Sequence, residues 1–338
     1  MIVVTLFIEK ENPACDQAIQ DLDSLQVEFP HRLAVVDISG SPELSTAYAG
    51  NTPVVQVGPY KLQKTISRQD LQIALGAARD RDAHLDKIGD KTYSRRIERG
   101  RSLTAADKIS YWLSHHYMFV INALLGLYVG LPFLAPILAY SGHLWAARAI
   151  QTIYSPLCHQ LPYRSWFLFG EQPYYPRELA GIEQVGSYED LIGGDPADLG
   201  AARKFLGSEE VGYGAGQAGY KIVLCQRDVA IYGMLFLFGI FFAVTGRKIK
   251  PVPWYLWIAL GLAPIALDGG SQLPGMIQAL PDWLIMREST PVLRTITGGL
   301  FGLMTAWYLF PMIEESMRET RALVARKMAV VPQIQKTE

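Results

Sequence analysis

The chain has 338 residues, with 31 Lys and Arg against 32 Asp and Glu, and half of its residues are hydrophobic. A formal net charge of -1 supplies neither a global basic field for nucleic acid nor the acidic excess of a disordered tail, so nucleic acid is excluded and partners must be argued locally. The three cysteines, Cys15, Cys158 and Cys225, form no Cys-x-x-Cys, which excludes a zinc ribbon and an ordinary dithiol motif and leaves room for one intrachain disulfide.

Composition is uneven along the chain. About the first hundred residues read as soluble protein, whereas from about Tyr117 the apolar residues gather into long runs poor in charge, which implies two domains facing two solvents. The opening run MIVVTLFIEKENPAC has no basic n-region and reads as a core strand rather than a signal peptide.

Ile2 to Ile8 is β-branched, aromatic and of strand length, and the next segment places Ala18, Ile19, Leu22 and Leu25 on one helical face. A second strand is expected over Leu33 to Ile38, followed by a short helix opened by Ser41-Pro42-Glu43, with Ser as cap and Pro at its first position. Thr52 to Val57 reads as a third strand, Gly58-Pro59 as a turn, Lys61 to Gln63 as a fourth strand, and Ser67 caps a last helix. This β-α-β-α-β-β-α order over about residues 1–80 resembles the thioredoxin and glutaredoxin fold. The resemblance implies a cis bond at Thr52-Pro53 beside the active-site position. Active members carry Cys-x-x-Cys at the start of the first helix, whose N-terminus lowers the thiol pKa. Here those positions are Asn12-Pro13-Ala14-Cys15, so the nucleophile is replaced by Asn12 and Cys15 stands at the resolving position. A redox-inactive docking or structural domain is favoured over a mixed disulfide through Cys15.

Residues 81–115 read as a charged linker, in which Arg95, Arg96, Arg99 and Arg101 mark the cytoplasmic side and suit anionic headgroups; His115 and His116 imply no partner. A helical membrane domain is expected over residues 116–316, with about four spans: Met118 to Tyr140, kinked by Pro132 and Pro136, Val229 to Val244, Val252 to about Ala266, and about Val292 to Met312. Arg247, Lys248 and Lys250 follow the second span and Arg318, Arg321, Arg326 and Lys327 the fourth. With an even number of spans both termini, including a tail at 317–338, are cytoplasmic and the bilayer is the plasma membrane. His143 to Leu157, with Ala146, Ile150, Ile153 and Leu157 on one face, is expected at the lipid interface, and residues 170–224 as an extracytoplasmic loop or small lobe.

Four polar patterns flank the spans on the predicted outer side: Cys158-His159-Gln160-Leu161-Pro162-Tyr163-Arg164-Ser165, Cys225-Gln226-Arg227-Asp228, Asp268-Gly269-Gly270-Ser271-Gln272, and Arg287-Glu288-Ser289 with Arg294 and Thr297. Together they resemble an uncharacterised family of predicted membrane proteins, domain of unknown function 2085, over about Ser155 to Gly302. The family's second motif reads Cys-x-Arg-Cys followed by Ile-Tyr-x-Gly; Cys225, Arg227, Ile231, Tyr232 and Gly233 match it, Asp228 replaces the last Cys, and about fifty residues ahead of Cys225 look inserted.

Thiolate, imidazole and carboxylate from Cys158, His159, Cys225 and Asp228 are ligand types for zinc or another transition metal, and a Cys-to-Asp exchange at 228 keeps a ligand there. A Cys158–Cys225 disulfide is the structural alternative. Thiol or quinone redox chemistry, as in vitamin K epoxide reductase and similar four-helix enzymes, is a third reading, weakened by the missing Cys-x-x-Cys. Asp268 near the end of the third span needs a partner, for which Arg164, Arg287 and Arg294 are candidates, in a polar cluster with Arg227, Gln272 and Glu288. The reading is a membrane protein with a redox-inactive glutaredoxin-like domain and an outer-face Cys/His/Asp/Arg cluster for a metal or small ligand. The alternatives are a membrane oxidoreductase and a scaffold subunit that meets a membrane-complex partner through its N-terminal domain.

Overall fold

The computed structural model describes residues 2–88, 100, 102–193, 195, 197–208, 218–272 and 288–336. The chain divides into two compact units, one of Met1–Tyr117 with Glu315–Glu338 and one of Met118–Glu314.

In the first unit, β1 (Ile2–Ile8), β2 (His31–Asp37), β3 (Val54–Val57) and β4 (Tyr60–Gln63) form one sheet in the order β2-β1-β3-β4. β1 runs parallel to β2 and antiparallel to β3. Alternation along β1 sends Val4 and Leu6 to one face and Phe7 to the other. On the first face they meet Ala18, Leu22 and Leu25 of α1 (Pro13–Leu25) and Leu71 and Leu75 of α3 (Arg68–Ile88). Ser67 and Asp70 cap α3 reciprocally, each side chain taking the other's backbone N–H at 3.2 and 3.0 Å. On the second face Phe7, Val36 and Val54 are covered by Leu44 of α2 (Pro42–Tyr48) and by Ala325. The Thr52-Pro53 bond is cis.

Ala325 belongs to the final helix of the chain, Pro291–Lys336, so residues 317–336, set apart in the sequence as a tail, are helical and supply a buried residue to the sheet. Lys327 bonds Asp107 at 2.7 Å and Arg321 donates to the Ser114 carbonyl at 2.5 Å. These partners lie in α4 (Ala105–Tyr140), which starts with a second reciprocal cap between Thr104 and Asp107. His115, given no partner by the sequence, meets Glu43 at 3.1 Å, because α2 lies beside it in the fold. Arg95, Arg96, Arg99 and Arg101 lie outside the described residues.

The second unit holds the apolar helices. α4 carries Pro132 and Pro136 inside it, and Pro132 cannot donate to the Tyr128 carbonyl one turn back. That carbonyl takes the Tyr154 hydroxyl at 2.9 Å, from α5 (Leu144–Tyr154). α5 buries Ala147, Gln151 and Tyr154, while Trp145 within it and Leu157 just beyond it stay exposed, as does Ile153. A small lobe follows, with α6 (Tyr188–Ile192), α7 (Leu199–Lys204) and the two-stranded antiparallel sheet of β5 (Ser165–Leu168) and β6 (Tyr220–Cys225), closed over Tyr163, Phe167, Tyr175, Tyr188 and Phe205. β6 runs directly into α8 (Gln226–Val244). α9 is composite: an α-turn at Trp254–Leu256, a π-helical stretch at Trp257–Leu262 and an α-segment at Ala263–Gly270. α10 is the final helix, Pro291–Lys336.

Among the described residues, three helices, rather than about four, are long and apolar enough to cross a membrane: α4, α8 and Pro291–Gln335. The expected third span falls in α9, whose segments of 3, 6 and 8 residues are each short. Pro264 has no backbone N–H to donate to the Leu260 carbonyl one turn back, and Leu260 lies inside the π-helical stretch, where the regular ladder is interrupted.

Candidate functional site

The register of the antiparallel β5–β6 pair sets Ser165 opposite Cys225, which brings the segment after α5 against the start of α8. Cys225 is the N-cap of α8: its sulfur accepts the Asp228 N–H at 3.4 Å, while its own N–H donates to the Cys158 sulfur at 3.3 Å. Cys158 Sγ, Cys225 Sγ and an Asp228 carboxylate oxygen lie within 4.8 Å of one another, and both thiols are free. The closeness of the two thiols lowers the pKa of Cys158 and, together with burial, pushes that of Cys225 well up. His159 is exposed and lines the same cavity, but is not part of that three-residue group.

The cavity has a volume of about 220 Å³, and Arg164, Arg227 and Arg294 line it together with the two thiols and Asp228. Glu288 accepts both Nε and a terminal nitrogen of Arg164, at 3.0 and 3.1 Å, and also pairs with Arg294. Arg294, 3% exposed, donates further to the Tyr163 carbonyl at 3.3 Å and to Gln226 at 3.5 Å. Asp268 pairs with Arg227 rather than with Arg164 or Arg294, because Glu288 already holds those two. Gln272 bonds the Asp268 backbone carbonyl at 2.8 Å rather than its carboxylate, and Arg287 lies outside the described residues.

Sequence reasoning passed over Lys221 and did not weigh Gln226. Lys221 is 0% exposed and donates to the carbonyls of Gln160, Ala202 and Arg203 at 2.6, 3.4 and 3.0 Å, pinning the loop that carries Cys158. A lysine inside the otherwise apolar strand Tyr220–Cys225 was the available signal. Lys221→Met strips a donor from buried acceptors at about 1–3 kcal/mol each, so Cys158 alkylation is expected to accelerate roughly tenfold or more, read by timed maleimide labelling. An unchanged rate would show that Lys221 does not hold the loop.

In the first unit, Asn12 caps α1 by accepting the Ala14 N–H at 3.1 Å and approaches the Thr52 hydroxyl at 3.4 Å, beside Pro53. Cys15 is 2% exposed, and burial pushes its thiol up.

Fold and site define an integral membrane protein that carries a glutaredoxin-like domain. The family model of a glutaredoxin-like domain (DUF836) matches residues 3–75, and that of a predicted membrane protein family, DUF2085, matches residues 217–308. The second match includes Cys225, Arg227, Asp228, Asp268, Glu288 and Arg294, whereas Cys158, His159 and Arg164 precede it. An uncharacterized protein of Methanocaldococcus jannaschii is 27% identical over 212 residues, which cover 60% of this chain and 96% of that protein.

Proposed function

We propose that the membrane domain binds zinc or a similar thiophilic divalent ion through Cys158, Cys225 and Asp228, and that the glutaredoxin-like domain is a redox-inactive docking or structural part. The observation that carries this is the convergence of two sulfurs and a carboxylate oxygen within 4.8 Å at the wall of a cavity. Zinc takes sulfur at about 2.3 Å and carboxylate oxygen at about 2.0–2.2 Å, so a modest contraction of the three groups suffices to bind it. Three protein ligands leave the fourth tetrahedral position open toward the cavity, where His159 or a ligand can enter. For the N-terminal domain, the support is Asn12 at the nucleophile position and a Cys15 sulfur withdrawn from solvent.

A topology with both termini on one side is supported by the make-up of the first unit. It contains both the N-terminal domain and Glu315–Glu338, so the chain leaves it after Tyr117 and returns at Glu315, which supports an even number of crossings. α9 then serves as a fourth span of about 25 Å at 1.5 Å per residue, short for a core of about 30 Å and matched by local thinning. The basic residues near Arg247 and Arg318 favour the cytoplasmic side of the plasma membrane for both termini.

The two sulfurs, within 4.8 Å of each other, also favour a second reading, a Cys158–Cys225 disulfide. Elemental mass spectrometry and thiol counting on detergent-purified protein separate the two. One metal per chain is expected, with at least a tenfold loss in Cys158→Ser and in Cys225→Ser. Metal-free protein with a single free thiol would mean the disulfide and reject the metal centre.

A further inference from the structure

We infer that the cavity beside the thiol pair binds a phosphate-class oxyanion between Arg164, Arg227 and Arg294. The inference shares its cavity with the proposed metal centre but rests on the guanidinium groups, not on the ion. The three arginines come from three separate segments: the turn Pro162–Arg164, the first turn of α8 and the first turn of α10. Their acids, Glu288 and Asp268, are not among the residues that line the cavity, so its wall presents three guanidinium groups against one carboxylate, Asp228.

A guanidinium has five N–H donors, and a carboxylate that holds two of them leaves the others free to act while fixing the plane of the fork. Arg227 Nε is buried and has no hydrogen-bond partner among the described residues; nor has Oδ1 of its partner Asp268, the pair being joined through Nη2 and Oδ2. The first turn of α8, a helix of 19 residues, sets its positive dipole end at the same wall. Arginine forks grip oxyanions in pairs of hydrogen bonds, and three forks from different directions suit a tetrahedral anion better than a planar carboxylate. Asp228 brings the carboxylates of the cluster to three, equal in number to the arginines, but all three arginines reach one cavity while Glu288 and Asp268 stay out of its wall.

The same chemistry is offered by a free phosphate or its monoester and by a phospholipid headgroup. The test is calorimetric titration of inorganic phosphate into the full chain in phosphatidylcholine nanodiscs, both metal-loaded and chelator-stripped. Saturable binding is expected, at least tenfold weaker in Arg227→Lys and in Arg164→Lys, which keep the charge opposite Asp268 and Glu288 but lose the fork; only variants that melt like the parent are scored. Phosphate binding retained by stripped protein, or by a Cys158→Ser variant without metal, upholds the anion site even where the metal reading fails. No saturable binding to either form of the parent, or equal affinity in both lysine variants, overturns the inference. Repetition in nanodiscs containing phosphatidic acid identifies the source: loss of phosphate binding points to the headgroup and unchanged binding to the free anion, and either supports the site.

Discussion

Replacing Glu288 with alanine is expected to destabilise the membrane domain by about 3–5 kcal/mol, the range for removing one partner of a buried ion pair. Glu288 is 7% exposed and serves both Arg164 and Arg294. Once it is gone, Arg294 keeps its charge and its burial, and its acceptors among the described residues are the Tyr163 carbonyl and the Gln226 amide oxygen, at 3.3 and 3.5 Å. Glu288→Gln leaves an acceptor but no charge and is expected to fall between the two. Exposed pairs behave differently: Arg177–Glu189 is separated by 3.4 Å with both side chains partly in solvent, and breaking it is expected to change stability by about 1 kcal/mol or less. Thermal unfolding in detergent compares the three variants. Equal melting of Glu288→Ala and the Glu189 variant would mean that the cluster is wetter than its burial indicates.

Much of this architecture is legible in the sequence because it is encoded locally. The β-branched and aromatic run Ile2–Ile8, the Ser41 and Ser67 caps and the Thr52-Pro53 pair each depend on neighbours in the chain, and each has its counterpart in the first unit. The apolar runs behind α4, α8 and α10 are local in the same way. What the sequence could not order is the pairing of charges. Arg164 finds Glu288 across 124 positions and Arg227 finds Asp268 across 41, and nothing in the intervening chain ranks these partners above Arg294 for Asp268. Composition also hid the role of residues 317–336: their charge suggested a solvated tail, while the small side chain of Ala325 completes a core built from strands some three hundred positions away. The thiol pair was half legible, since its ligand types were visible but the exposure of His159, set by the turn that buries Gln160, was not.

The second large effect is expected at Gly302. Gly298 and Gly302 stand one turn apart on α10 and so share a face. A Cβ at position 298 would lie 2.8 Å from the Arg227 carbonyl oxygen, and one at 302 would overlap the Ile231 carbonyl oxygen, with the Ile231 Cα at 2.9 Å. Backbone, not a movable side chain, is what it meets, so α8 and α10 must separate to admit any side chain larger than hydrogen. Between helices in lipid, where apolar burial offers no preference for protein over acyl chain, such close approach is a principal source of association. Gly302→Leu is therefore expected to destabilise by more than the roughly 1–3 kcal/mol of ordinary overpacking, with Gly302→Ala less severe. Gly233 of α8 is the control, because a Cβ there meets nothing within 4 Å and alanine is the better helix former. Melting temperature should fall in Gly302→Leu, and occupancy of the proposed metal centre with it, since the first turn of α8 carries Arg227 and Asp228 and moves with the helix. A leucine variant that melts like the parent would show that the two helices are not held by backbone contact at this face.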